Sequence, residues 1–329
     1  MRISIAMCTY NGGQYLQRQL ETFAAQTYLP CELVVCDDGS LDDTVELIEL
    51  FASGAPFPVR VFRNEVNLGS AKNFEKAIGL CEGDLIALSD QDDEWPDGKL
   101  AEFRRVFEDL PGALAAFGDA DIIDEHSVFL RRNLWASVHF SPKHRVPYLD
   151  SRILDSLFRL NNLVTGATLV FRKHLRSEVI PIPGSWVHDG WIAWVAALRG
   201  GLAVVPTVKI RYRVHSRQQL GLDSQPLTEQ LAFARQNGRN GYLSLIGQFA
   251  DAKRYLERHC EDVDSIRIIP RIDGKLRLLR GRSTLPNSFF ERVRWILWSW
   301  RGYRDYARGP ISMLKDSLFP SSGIASDGG

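Results

Sequence analysis

Two rhythms of apolar residues alternate along the first 110 positions of the chain. Short β-rich runs cover residues 3–8, 33–36, 59–62 and 85–88, and each gives way to a stretch at helical spacing, over 15–26, 44–52, 71–80 and 99–110. Strand and helix repeated in this way predict an α/β fold with a mostly parallel, doubly wound sheet, because parallel neighbours must be joined by crossovers. Ligands of such sheets bind beyond the carboxyl ends of the strands. The four loops there read Thr9-Tyr10-Asn11-Gly12-Gly13, Asp37-Asp38-Gly39-Ser40, Arg63-Asn64-Glu65-Val66-Asn67-Leu68-Gly69 and Ser89-Asp90-Gln91-Asp92-Asp93.

Beyond residue 160 the pattern is less regular. It predicts an apolar strand over 163–171 with an internal glycine, a Trp-rich helix from near Asp189, and two short strands over 202–205 and 208–212. Residues 221–226 punctuate the chain, and a long helical pattern follows. The expected organisation is a domain over 1–220, a helical appendage over 221–288, an aromatic and basic amphipathic segment over 289–320, and a mobile tail over 321–329. No repeat of solenoid type is present.

Composition narrows the function classes. With 45% hydrophobic and 24% charged residues among 329, the chain is ordinary globular protein. Forty basic residues balance forty acidic ones, so no global field draws the molecule to nucleic acid, and none is expected as a partner. The five cysteines form no Cys-x-x-Cys pair and are odd in number, which fits a reducing cytosol without structural disulfides. The apolar run at residues 3–8 is too short for a signal peptide, and runs such as Trp295-Ile296-Leu297-Trp298 fall far short of the roughly 20 residues that span a bilayer. Transmembrane helices are therefore not expected.

Asp90, Asp92 and Asp93 leave the fourth strand within four residues, and alternation directs Asp90 and Asp92 toward one point. Hard carboxylate oxygens suit Mg²⁺ or Mn²⁺ bound together with a diphosphate, although the same segment also reads as a solvated acidic turn before a helix. Asp38 can accept a hydrogen bond from a base N–H, while Ser40, Asp42 and Asp43 make an ordinary helix N-terminus; both readings hold at once. Asp189, in His188-Asp189-Gly190-Trp191, opens a helix and serves either as its N-cap or as a general base. His215 stands just past a strand, as a ligand or as a structural histidine. No Gly-x-Gly-x-x-Gly fingerprint and no Walker lysine motif occurs, which argues against a dinucleotide-dependent dehydrogenase or an NTPase.

In order and spacing, these loops resemble the inverting family-2 glycosyltransferases, whose nucleotide-sugar-binding fold is called GT-A. Cys8-Thr9-Tyr10-Asn11 and Asp37-Asp38-Gly39-Ser40 resemble the two nucleotide-binding loops of that family. Asn67-Leu68-Gly69 with Lys72-Asn73 resembles its N-x-G…R-N segment, with Lys72 in place of arginine, and Asp90-Gln91-Asp92 resembles its D-x-D motif. Asp189 falls where the family has its base and His215 where some members supply a further metal ligand. The likeness covers about the first 220 residues, and His188-Asp189-Gly190-Trp191 with Tyr212-Arg213-Val214-His215 looks most like bacterial rhamnosyltransferase-type members.

The resemblance implies a nucleotide-sugar donor held by Thr9, Tyr10, Asn11, Asp38, Lys72, Asn73, Asp90 and Gln91, with Asp38 at the base and Asp90 near the ribose. It implies Mg²⁺ or Mn²⁺ on Asp92 and His215, and deprotonation of the acceptor hydroxyl by Asp189. The implied reaction moves one sugar from a UDP- or dTDP-sugar, dTDP-rhamnose among them, to a hydroxyl of a glycan or lipid-linked acceptor in bacterial surface polysaccharide synthesis. The Q-x-x-R-W motif of processive members is absent, which favours single transfer. Two rivals remain: a non-catalytic nucleotide-sugar-binding subunit, and a magnesium-dependent phosphohydrolase, for which a matching downstream lysine and acid are missing.

Between residues 289 and 308, Phe289, Phe290, Trp295, Trp298, Trp300, Tyr303 and Tyr306 are interleaved with Arg292, Arg294, Arg301, Arg304 and Arg308. Such a mixture predicts an interfacial helix on the cytoplasmic face of a membrane, where a lipid-linked acceptor would be found. Alternatively, Trp295 and Trp298 pack as core or form a contact in a homo-oligomer.

Overall fold

In a computed structural model of the chain, residues 1–150, 152–160, 163–215, 227–259 and 263–321 are described. The punctuation expected at 221–226 and the tail expected beyond 321 lie outside them. The first strand–helix units are β1 (Ile3–Thr9), α1 (Gly13–Ala24), β2 (Glu32–Asp37), α2 (Thr44–Gly54), β3 (Val59–Arg63), α3 (Ser70–Leu80), β4 (Leu85–Ser89) and α4 (Lys99–Asp109). Strands β2 and β4 are buried along their whole length, and β1 at every residue but Cys8, as expected where helices cover both faces of a parallel sheet. α1 turns Leu16, Gln19, Leu20 and Phe23 inward at the spacing of one helix face.

The chain continues through β5 (Ala115–Ile123), β6 (Phe129–Asn133), α5 (Leu134–Ser137), β7 (Tyr148–Leu149), α6 (Ile153–Arg159), a 3₁₀ turn (Gly166–Thr168), β8 (Leu169–Arg172), α7 (Arg176–Val179), α8 (His188–Leu198) and β9 (Leu202–Arg213). The strands form one sheet in the order β3-β2-β1-β4-β8-β5-β9-β7, with β6 beside β5. β3, β2, β1 and β4 are mutually parallel, and β5 is parallel to β9. β8 runs antiparallel to both β4 and β5, so the sheet is mixed.

Register decides what meets at the sheet's edge. Thr9 pairs with Asp37, Met7 with Ser89 and Ile123 with Arg213. The residues that follow β1, β2, β4 and β9 therefore leave the same edge. Because β8 is antiparallel, the 3₁₀ turn that precedes it arrives there too.

Two expected elements take a different form. The apolar run over 163–171 is a strand only from Leu169; Gly166–Thr168 is the 3₁₀ turn. The two strands expected over 202–205 and 208–212 are one, β9, whose register slips between Val205, opposite Gly118, and Lys209, opposite Asp119. Pro206, which has no N–H for the ladder, lies in the slipped stretch, where a bulge relieves it of pairing.

Contacts divide the chain into two units, Met1–Leu154 with Asn162–Gly221, and Asp155–Asn161 with Leu222–Gly329. The second contains α9 (Leu227–His259), α10 (Val263–Ser283), α11 (Phe289–Trp298), α12 (Trp300–Tyr306) and α13 (Pro310–Leu318). Ser288 caps α11 by accepting the Glu291 N–H, a Ser-x-x-Glu start. Leu278, Ile296, Tyr303 and Ala307 form a core with Trp295, Tyr306 and Met313 packed on it. Trp295 comes so close to Gly281 that any Cβ there would overlap its ring. Buried Asp316 accepts from Arg282 Nε at 2.6 Å, Tyr303 OH at 2.5 Å and Tyr242 OH at 3.0 Å.

Candidate active site

The loops at the common edge are tied to one another before any ligand is considered. Tyr10 N–H donates to Gln91 Oε1 at 2.8 Å and Gln91 Nε2 donates back to Tyr10 O at 3.2 Å, joining the β1 and β4 loops. Asn11, in the left-handed region at φ 47°, receives Leu41 N–H on its side chain and donates its own N–H to Ser40 Oγ. Gly12 leaves room for the Gln91 side chain: a Cβ at that position would stand 2.2 Å from Oε1 and displace the amide that Tyr10 holds.

Asp37 and Asp38 are occupied by the protein. Asp37 accepts from Thr9 Oγ1, from Gly39 and Ser40 N–H, and from Ser40 Oγ. Asp38 accepts from Asn64 Nδ2 and Leu68 N–H at 2.8 Å on Oδ1 and from Gly69 N–H at 2.9 Å on Oδ2. Asn73 belongs to the same framework, donating to Cys36 O and accepting from Asn64. Lys72 turns away, with Nζ 2.7 Å from Glu75 Oε2 and 3.2 Å from Ile182 O.

After β4 the carboxylates are less well served. Asp92 Oδ2 lies 2.9 Å from His215 Nε2, a pair brought together from β4 and β9. The His215 ring lies against Tyr15, centroids 4.8 Å apart, and Arg213 stands over the same tyrosine. Asp93 is buried and accepts Arg213 N–H on Oδ1, while its Oδ2 has no partner. Burial, together with the charges of Asp92 and Asp189, pushes the Asp90 carboxyl up to about 7. Burial and the neighbouring Asp92 and Asp90 raise Asp93 as well.

Asp189 is not the N-cap. Val187 holds that position and Asp189 lies in the first turn of α8, its Oδ2 accepting Gly166 N–H at 2.8 Å and its Oδ1 accepting Gly190 N–H at 2.6 Å. Anchored by the 3₁₀ turn, the carboxylate has a fixed orientation.

A cavity of about 590 Å³ opens among these loops. Of the residues expected at the site, Thr9, Tyr10, Asn11, Asp38, Asn73, Asp90, Gln91, Asp92, Asp189 and His215 line it, and Lys72 does not. Tyr15, Gly166, His188 and Tyr212 line it as well, without having been assigned a role from the sequence. The glycine inside an apolar run was the available signal for Gly166. His188 lay inside a quoted motif, but its surroundings were not legible there.

The donor set fits a hard divalent cation. One carboxylate and one imidazole converge, with further acidic groups held at unfavourable charge beside them, which is the chemistry a cation relieves. Among the described residues no three His, Cys, Asp or Glu side chains form a complete ligand group, so a cation there would need oxygens from its substrate or from water.

Comparison with known proteins shows the family and the fold. The glycosyl transferase family 2 model matches residues 4–177. An uncharacterized protein of Mycobacterium tuberculosis is 24% identical over 324 residues, covering 95% of this chain and 89% of its own. S. aureus TarS in complex with UDP-GlcNAc has a TM-score of 0.59 at 18% identity, over 93% of this chain and 82% of that one. The mannosyltransferase PcManGT from Pyrobaculum calidifontis, in complex with GDP-Man and Mn²⁺, has a TM-score of 0.54 at 17% identity, over 96% and 86%. A mixed sheet with its acidic loops at one edge and a family match over more than half its length make this chain a glycosyltransferase of family 2, with the GT-A fold.

Proposed function

We propose that this glycosyltransferase moves a single sugar, with inversion, from a nucleoside-diphosphate donor to a hydroxyl of a glycan or lipid-linked acceptor in bacterial surface polysaccharide synthesis. The observation that carries the reading is the grouping of Asp90, Asp92, His215 and Asp189 around one cavity. Thr9, Tyr10 and Asn11 form the nucleotide side of that cavity, with Asp38 and Asn73 beneath them. Asp92 and His215 hold Mg²⁺ or Mn²⁺, which neutralises charge on the departing diphosphate when bound. Asp189 takes the proton of the acceptor hydroxyl, and a base fixed opposite the leaving group directs in-line displacement and inversion. The UDP-GlcNAc bound to TarS, and the GDP-Man and Mn²⁺ bound to the mannosyltransferase, support a nucleotide-sugar donor and a cation here. A UDP- or dTDP-sugar, dTDP-rhamnose included, is the donor class proposed. Incubation with UDP-, dTDP- and GDP-sugars, with and without Mn²⁺, tests the reading through sugar-dependent release of nucleotide. Nucleotide release that needs no acceptor and proceeds equally from every nucleotide would instead favour a phosphohydrolase.

The proposed location is the inner face of the cytoplasmic membrane, reached through the second unit. Among the described residues no helix is long and apolar enough to cross a membrane. α11 exposes Phe290 and Trp298, each at 82%, together with Leu297, and α13 exposes Ile311, Leu314 and Leu318. Trp295, by contrast, packs inside the unit. Among the basic side chains of residues 289–318, Arg294, Arg301, Arg304 and Arg308 are exposed, whereas Arg292 is buried and donates to backbone carbonyls. Exposed aromatics among arginines suit an anionic lipid surface, each arginine contributing about 1 kcal/mol near it. The protein is expected to float with phosphatidylglycerol vesicles at low salt and to lose binding on joint substitution of Phe290 and Trp298 by alanine. Self-association through the same face, without flotation, would assign it to a homo-oligomer instead.

A further inference from the structure

The cavity wall contains one buried polar group that the reaction above does not use. His188, the first residue of α8, is 4% exposed. Its imidazole stacks on Phe74, with centroids 3.8 Å apart and planes 20° from parallel. Neither Nδ1 nor Nε2 has a hydrogen-bond partner. A buried polar group left unpaired weakens the fold, and an apolar side chain of similar size would pack on Phe74 without that cost. As packing alone, the histidine is a poor choice.

Its neighbours point to a ligand. His188 and Phe74 line the same cavity as Asp189. Gly166 faces the ring: a side chain at that position would stand 2.9 Å from Nε2 and 3.6 Å from Asp189 Oδ2. Imidazole and carboxylate thus come together at Gly166, where only a residue without a side chain leaves them room. Burial pushes the imidazole below its ordinary range despite Asp189 nearby, so the ring is neutral at pH 7, with one donor and one acceptor nitrogen. A hydroxyl, which both donates and accepts, matches such an edge; a phosphate oxygen, which only accepts, matches it poorly.

We propose that His188 is a substrate-binding residue whose ring edge takes a sugar hydroxyl and fixes that sugar against Asp189. The identity of the ligand rests on the glycosyl-transfer reading; the unpaired state of the ring does not. The hydroxyl belongs either to the donor sugar or to the acceptor, and calorimetry separates the two.

His188→Met keeps the bulk and removes the hydrogen-bonding edge. The unliganded variant is expected to melt roughly 2 to 4 °C above wild type, since an unpaired buried group has been removed. With Mn²⁺ present, UDP, dTDP and GDP are titrated beside their sugars. If the donor sugar is held, the variant loses at least fivefold in affinity for the nucleotide-sugar and keeps its affinity for the matching nucleotide. If the acceptor is held, both affinities stay and the acceptor KM rises at least fivefold. His188→Asn, which restores a donor and an acceptor, is expected to recover most of either loss. A lower melting temperature for His188→Met overturns the proposal, even if no nucleotide-sugar binds wild type. So do affinities and KM within twofold of wild type, or equal losses for nucleotide and nucleotide-sugar.

Discussion

Asp37 and Asp38 at the end of β2 direct both carboxylates into the protein, where hydroxyl, amide and backbone N–H groups satisfy them. At the end of β4, two strands away across β1, Asp90 is pushed up to about 7, Asp93 keeps an unpaired oxygen, and Asp92 is met by a histidine. Both loops are acidic, follow buried strands and leave the same sheet edge. At one, the carboxylates' hydrogen bonds are already made by neighbouring protein donors. At the other, burial has gathered acids with fewer donors to meet them, and the proposed cation site rests on that shortfall. Acidic residues at strand ends thus divide by what remains unsatisfied, and sequence composition does not reveal that remainder.

The largest effect expected is at Asp189. Asp189→Asn retains an oxygen for the Gly166 N–H but cannot take a proton, so transfer should fall by about 10²- to 10⁴-fold while donor affinity is unchanged. A near-wild-type rate would reduce Asp189 to an anchor for the 3₁₀ turn. Asp92→Asn comes next: Mn²⁺-dependent nucleotide-sugar binding should disappear in calorimetry, with the melting temperature of the metal-free protein retained. Wild-type affinity in that variant would erase the distinction between the loops.

The β2 loop should respond in the opposite sense. Asp38→Ala strands the Leu68 and Gly69 N–H groups and should cost about 1–3 kcal/mol of stability, read by denaturant unfolding, with or without Mn²⁺. Unchanged stability with a selective loss of nucleotide binding would move Asp38 from framework to ligand.

A buried amine in the second unit supplies a control, read through its pH dependence. Lys275 donates to Phe158 O at 2.8 Å and Tyr306 O at 2.6 Å, and burial lowers its pKa to about 7. Above that value the folded protein holds the amine neutral while the unfolded chain still binds the proton, up to about 10.4. Stability relative to Lys275→Met should therefore rise with pH between about 7 and 10, by at most about 1.4 kcal/mol per pH unit. A flat difference would show that burial alone does not shift a charge in this protein.

The strand–helix alternation was legible as far as α4, because periods of two and of about 3.6 residues are local properties of the chain. It failed at 163–171, where an apolar run bends into a 3₁₀ turn to deliver Gly166 N–H to Asp189, 23 positions away. Lys72 sat in a matching motif, yet Glu75 and Ile182 O compete for its ammonium. Trp295 and Trp298 read alike in sequence. A close approach to Gly281 draws the first inward, and no such space receives the second.

Taken alone, the sequence determined the order of strands and helices and the acids that follow each strand, since those depend on neighbours along the chain. Which acids remain free, which histidine meets which carboxylate and which aromatic stays exposed were decided by tertiary structure. Asp92 and His215 are 123 positions apart and are brought within 2.9 Å by the register of the sheet. Hydrogen-bond satisfaction is a property of the packed neighbourhood, and strand pairing assembles that neighbourhood from distant parts of the chain.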